Sequence, residues 1–235
     1  MAEPLETPGF RAVAEFLIAD RRNVEGLAEA DRRLAVLACL LAVDPACIDV
    51  RLLFKEALSS DVSPLTLEIA LVHAIGYLGA IRVGAAYRQL GDELAEAGLA
   101  HAVIHDTAVE SDRQTRVDNG VRLYDRFDPG RQAQQARMFA ALSPDYYPRA
   151  MELSGLVLQS PYLALRERQI MTVAMLACLG GQADQLRFHI GVALRNGVSR
   201  ETLAGIFIVV QAYAGMPRAN SAASLALAVL NDDHA

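Results

Sequence analysis

Tryptophan is absent, lysine occurs once, at Lys55, and the three cysteines, Cys39, Cys47 and Cys178, form no CxxC pair. An odd number of widely spaced thiols builds neither a disulfide framework nor a structural zinc site, and it fits a reducing compartment. Schiff-base catalysis would rest on one side chain beside Glu56. No GxGxxG, GxxxxGK or GxSxG stretch occurs, so nucleotide cradles and the serine-hydrolase elbow are unsupported. No run reaches the roughly 18 uninterrupted apolar residues of a membrane span. The opening MAEPLETPGF lacks the basic start and apolar stretch of a secretory signal. A cytoplasmic protein with no membrane partner is the expectation. Basic charge is also in deficit: 22 Lys plus Arg against 28 Asp plus Glu leave a net charge of −6. That is the wrong sign for a phosphate backbone, and no nucleic acid partner is expected.

What remains is apolar and helical. With 53% hydrophobic and 21% charged residues, the chain buries enough surface to fold as one or two domains. Apolar residues recur at i, i+3 and i+4 nearly everywhere, and alternating β-branched runs are scarce, which predicts an all-α fold. The clearest helix starts near Leu165, carries Ile170, Val173, Ala174 and Ala177 on one stripe and stops at Gly180-Gly181. A second from Gln185 aligns Leu186, His189, Ile190, Ala193 and Leu194 before Asn196-Gly197. Ser199 is an N-cap for a third, and Pro217 suits the first turn of a fourth. The segment ESDRQTRVDNG reads as helix-poor, followed by the turn Phe127-Asp128-Pro129-Gly130. One further helix is expected before Pro144 and another after Pro148.

Self-similarity at a fixed offset identifies architecture better than propensity does. A shift of 136 residues lays 29–86 over 165–222 without a gap and gives 14 identities in 58 positions. Six are Ala or Leu. The other eight are Arg32/Arg168, Arg51/Arg187, Val62/Val198, Ser63/Ser199, Thr66/Thr202, Tyr77/Tyr213, Gly79/Gly215 and Arg82/Arg218, and Asp31 matches Glu167 in charge. The expectation is a tandem duplication of a roughly four-helix bundle, with domains over 1–108 and 109–235 joined through residues around 96–145.

Two residues of the second copy are candidates for chemistry. Glu167 falls at the N-terminal end of the Ile170/Ala174 stripe, where its neighbours Arg166, Arg168 and Gln169 point elsewhere; it is either a first-turn acid complementing the helix dipole or a catalytic carboxylate. His189 stands on an apolar stripe where its duplicate is Leu53. It is either a core histidine satisfied by one hydrogen bond or a general acid/base tuned by Glu167. Arg187 and Arg218, both doubled, could grip a substrate carboxylate, as could Arg195, and an interhelix ion pair would explain the doubling equally well. Tyr213, with Gln211 and Asn220 nearby, could aim its hydroxyl at the same cavity or be a core aromatic. His101, His105 and Asp106 have partial metal-ligand spacing without a third ligand motif. His73 reads as core, and His234 lies in the tail.

The stretch from Leu163 to Asn220, through LRER, LRFHIGVALRNGVS and YAGMPRAN, resembles the gamma-carboxymuconolactone decarboxylase family of the alkylhydroperoxidase-D-like superfamily. LYDRFDP and LSPDYYPRAMEL are similar to that family's N-terminal part, and the first half resembles the same domain in diverged form. The resemblance implies an all-helical fold assembling into closed rings, so that a fused pair gives a homotrimer. It implies no cofactor and no metal, a small-molecule substrate, and Glu167 and His189 as acid and histidine of the site. The expected activity is decarboxylation of a small unsaturated lactone or carboxylic acid, and the tandem form suggests a specialised metabolic branch. The alternatives are a non-catalytic member that binds a small carboxylate or a partner protein, and a peroxidase using Cys178 alone, since Gly181 stands at the second position of the peroxidase CxxC.

Overall fold

A computed structural model describes residues 24–60, 62–100, 111–127 and 129–232. The His101/His105/Asp106 group, His234, Asp128 and the N-terminal opening lie outside them. The described residues are all-α. The helices are α1 (Glu29–Val43), α2 (Ile48–Ser59), α3 (Pro64–Leu78), α4 (Ala80–Glu96), α5 (Arg113–Phe127), α6 (Arg131–Ala140), α7 (Tyr146–Leu158), α8 (Leu165–Leu179), α9 (Ala183–Arg195), α10 (Arg200–Ala214) and α11 (Met216–Asp232).

Three of the four helices in each set share both boundaries at the 136-residue offset: α1 with α8, α3 with α10 and α4 with α11. Their punctuation agrees too. Ser63 Oγ accepts from Thr66 N and Ser199 Oγ from Thr202 N, each at 3.1 Å. These bonds satisfy one orphan donor at each helix start. Gly79 (φ 80°) and Gly215 (φ 85°) turn the chain into the next helix in the left-handed region, where a side chain would be strained.

α8 packs on α1, α3, α9, α10 and α11. Every residue from Arg168 to Cys178 is buried, and α1 is buried without interruption from Ala35 to Ala42. The single apolar stripe expected for α8 is therefore incomplete. Arg168 and Gln169, expected to face elsewhere, are 2% and 1% exposed. A helix enclosed on all sides has no solvent face for periodicity to reveal. Asp31 of α1 and Arg166 of α8 join the two sets through paired 2.7 Å bonds.

The segment expected to be helix-poor forms α5. Asp112 bonds both Thr115 N and Thr115 Oγ1 at 2.9 Å, which caps the helix start. Its partner is α7, against which it packs along its length. Arg116 holds Glu152 through Nη2 at 2.7 Å. Two glycines permit the pairing: a Cβ on Gly120 would stand 1.8 Å from Met151 O, and one on Gly155 would stand 2.2 Å from Arg116 O. Backbone contact and ion pairs, rather than an apolar stripe, dock this helix.

Gly120→Ala should destabilise the protein by about 3 kcal/mol or more, because backbone cannot yield as a side chain does. Gly84→Ala, whose new Cβ would come no nearer than 3.8 Å to the Arg88 guanidinium, should be neutral or stabilising by about 0.5–1 kcal/mol. Urea unfolding of the two variants checks the contrast.

Candidate active site

His189 is buried on α9, and its Nδ1 lies 3.0 Å from Gln169 Oε1 on α8. An amide oxygen only accepts, so Nδ1 carries the proton and Nε2 is the nitrogen whose protonation changes. Aromatic rings pack around the imidazole: Tyr77 of α3 meets it edge-on at 5.5 Å and Phe188 at 5.0 Å, and Tyr124 of α5 stacks on Phe188 at 6.2 Å. Three parts of the chain therefore meet at His189: the first helix set, the connector and the second set.

Behind this cluster runs an oriented hydrogen-bond chain. Arg168 is enclosed, and its guanidinium donates to the carbonyls of Leu163 (3.0 Å), Val157 (2.9 Å) and Ser160 (2.7 Å). Burial pulls it down to about 10, so it stays charged at neutral pH. Its Nη1 also lies 3.4 Å from His73 Nδ1. His73 Nε2 faces Arg168 O at 3.1 Å and Thr172 Oγ1 at 3.0 Å. A carbonyl and a guanidinium on opposite nitrogens fix the neutral tautomer, protonated at Nε2. Burial first and the Arg168 charge second lower His73 to about 3. Thr172 in turn bonds Tyr77, whose phenol is pushed up to about 12 by desolvation. The Tyr77 hydroxyl thus stays protonated, anchored through Thr172 and His73 to a buried cation.

The five residues singled out in the sequence do not converge. Glu167 reaches back to the start of α8, where Oε2 accepts from Ala164 N at 2.7 Å. It lines a hollow of about 130 Å³ whose other wall belongs to the first set, including Leu34, Leu53, Thr66 and Ala70. Glu167 therefore shares a hollow with Leu53, the offset counterpart of His189, and the amide of Gln169 occupies the place expected for its carboxylate at the imidazole. Tyr213 lines a separate hollow with Arg32 and Leu53. Arg218 lies by Gly180 and Gly181 in a third, and Gln211 and Asn220 line a fourth. His189 borders none of these four. Arg187 is exposed on α9. Among the arginines, Arg195 donates to Phe127 O at 2.9 Å, Arg82 donates to Ala42 O at 2.9 Å, and Arg51 pairs with Glu93 and Glu96. Arg51 and Arg82, the offset counterparts of Arg187 and Arg218, are interhelix ties.

Gln169, Thr172, Tyr77, His73, Arg168, Tyr124 and Phe188 were not singled out as site residues. Two of them, Arg168 and Tyr77, are among the eight distinctive identities. That signal marks them, but it does not show that Tyr77 of α3 reaches His189. Cys178 is fully buried against Cys39, whose thiol is pushed well up by burial and by its neighbour. Such surroundings disfavour a thiolate nucleophile. Among the described residues no cluster of His, Cys, Asp or Glu could hold a metal ion. None of their helices is long and apolar enough to cross a membrane.

Residues 144–228, which hold α8, α9 and α10 entire, match the carboxymuconolactone decarboxylase family. A curated 4-carboxymuconolactone decarboxylase of Acinetobacter baylyi (strain ATCC 33305 / BD413 / ADP1) is 35% identical over 78 residues, 33% of this chain and 58% of that protein. The chain thus spans 58% of the length of the relative it matches. The family segment contains His189, Gln169, Thr172 and Arg168, whereas Tyr77, His73 and Tyr124 come from outside it.

A histidine held at about 3 when folded takes up its proton only on unfolding as pH falls below 6.5. The unfolded state then binds more protons, and stability falls with pH through that window. Between pH 7 and pH 5 the wild type should lose about 2 kcal/mol more stability than His73→Gln. Urea unfolding at the two pH values measures the difference, and equal losses would show that His73 does not stay neutral.

Proposed function

We propose that the protein is a cofactor-independent decarboxylase acting on a small unsaturated lactone or carboxylic acid, with its site around His189. The reading is carried by one observation: within the segment that matches the decarboxylase family, a buried histidine has Nδ1 fixed by Gln169 among aromatic rings. When an unsaturated lactone acid loses CO₂, the carbon–carbon bond breaks and its electron pair passes into the conjugated carbonyl, giving an enolate. That enolate takes a proton at carbon. The lactone is its own electron sink, and the protein supplies two things. His189, protonated at Nε2, gives the proton, with Gln169 setting its orientation. The protonated Tyr77 hydroxyl is a donor for the enolate oxygen, and apolar walls desolvate the departing carboxylate. Arg187 and Arg218 would act on substrate approach.

The two helix sets are read as a tandem duplication over 1–108 and 109–235, a fused pair that forms a homotrimeric ring. The matching helix boundaries support the duplication. Burial of His189 among aromatic rings favours a second reading, a non-catalytic member whose histidine is structural. With 4-carboxymuconolactone as substrate, His189→Ala should lower turnover at least about tenfold. Gln169→Glu, which puts a carboxylate on Nδ1, should raise the histidine-controlled pKa of the kcat/KM profile by about one unit or more. Absence of turnover by the wild type, or full activity in His189→Ala, supports the structural reading instead.

A further inference from the structure

The first helix set carries a hollow of its own, independent of the decarboxylase reading. It holds about 150 Å³ between α1, α2 and the end of α10, and several of its lining residues are the offset counterparts of residues at or behind His189. Arg32 stands where the second set has Arg168, Arg33 stands for Gln169, Val36 for Thr172 and Leu53 for His189, with Tyr213 taking the position of Tyr77. With leucine in place of histidine the hollow has no imidazole for proton transfer at neutral pH. Its chemistry is that of binding.

Charge decides what it binds. α1 presents Arg32 and Arg33, and α2 presents Asp49 and Glu56, around an apolar floor that includes Val36, Leu40 and Leu53. Arg33 is tied to Glu29 and Ser60, with its Nε buried and without a hydrogen-bond partner. No ion pair among the described residues involves Arg32, Asp49 or Glu56. A simple carboxylate entering here meets two acids, and a simple amine meets two arginines. A ligand with both charges meets each with its opposite, and its apolar body covers the floor. Pockets for drug-sized ligands have volumes of roughly 300 Å³ or more, so half that volume suits a molecule of amino-acid size.

We propose that this hollow is a second ligand site for a small zwitterion with an apolar body, of the class of aliphatic and aromatic α-amino acids. The carboxylate goes to the α1 arginines, the ammonium to Asp49 and Glu56, and the side chain to the leucine floor beside Tyr213. Isothermal titration at neutral pH with L-leucine, 4-methylpentanoate and 3-methylbutylamine tests it, because the last two are leucine without its amino and its carboxyl group. L-Leucine should bind at least about tenfold tighter than either analogue. Arg32→Ala and Glu56→Gln, checked for native circular dichroism, should each weaken it by about tenfold. His189→Ala should leave leucine binding unchanged, which separates this site from the decarboxylase reading. No heat from leucine at millimolar concentration, equal affinity for the three compounds, or undiminished binding in both Arg32→Ala and Glu56→Gln overturns the proposal.

Discussion

Two helices without a solvent face, α1 and α8, pack on one another, and the rest of the molecule is arranged around that contact. Where they meet, even the thiols of Cys39 and Cys178 are fully enclosed. A helix covered on all sides sends side chains toward both helix sets. From α8, Glu167 faces a hollow walled by α1, α2 and α3, while Gln169, two residues later, bonds His189 on α9. From the tips of the matching helices α3 and α10, Tyr77 reaches the His189 cluster and Tyr213 reaches the hollow around Leu53. Each half is thus completed by a tyrosine of the other.

The same exchange explains why the halves differ so much in polarity. On the His189 side a buried cation is tolerable because three backbone carbonyls and a neutral imidazole receive its N–H groups. On the Leu53 side, Val36 and Val209 replace Thr172 and His73, so the two polar links between the counterpart arginine and tyrosine are apolar there. The counterpart arginine there lines an open hollow instead. Similar backbones therefore enclose a closed polar network in one half and a charged, apolar-floored hollow in the other.

Much of this was legible in the sequence. The stops at Gly180-Gly181 and Gly215, the Ser199 cap and the stripes of α9 and α10 place the second helix set, and the gapless offset places the first. His73 was legible as core because its helix is apolar almost all round. The misreadings have physical causes. α5 was hidden because it docks through Gly120 and the Arg116–Glu152 pair rather than through an apolar face. Arg168 and Gln169 were hidden because a central helix buries polar side chains whenever partners exist. The pairing of Glu167 with His189 took both residues from one helix set, and spacing within one set carries no information on which side chains reach across to the other.

The most direct measurement is the NMR chemical shift of the His189 ring protons, identified by their loss in His189→Ala, in Tyr77→Leu and Tyr213→Leu. Removing the aromatic ring that meets the imidazole edge-on at 5.5 Å should move those resonances in Tyr77→Leu and leave them in place in Tyr213→Leu. A shift produced by Tyr213→Leu and absent from Tyr77→Leu would mean that each half builds its own site, and would contradict the exchange.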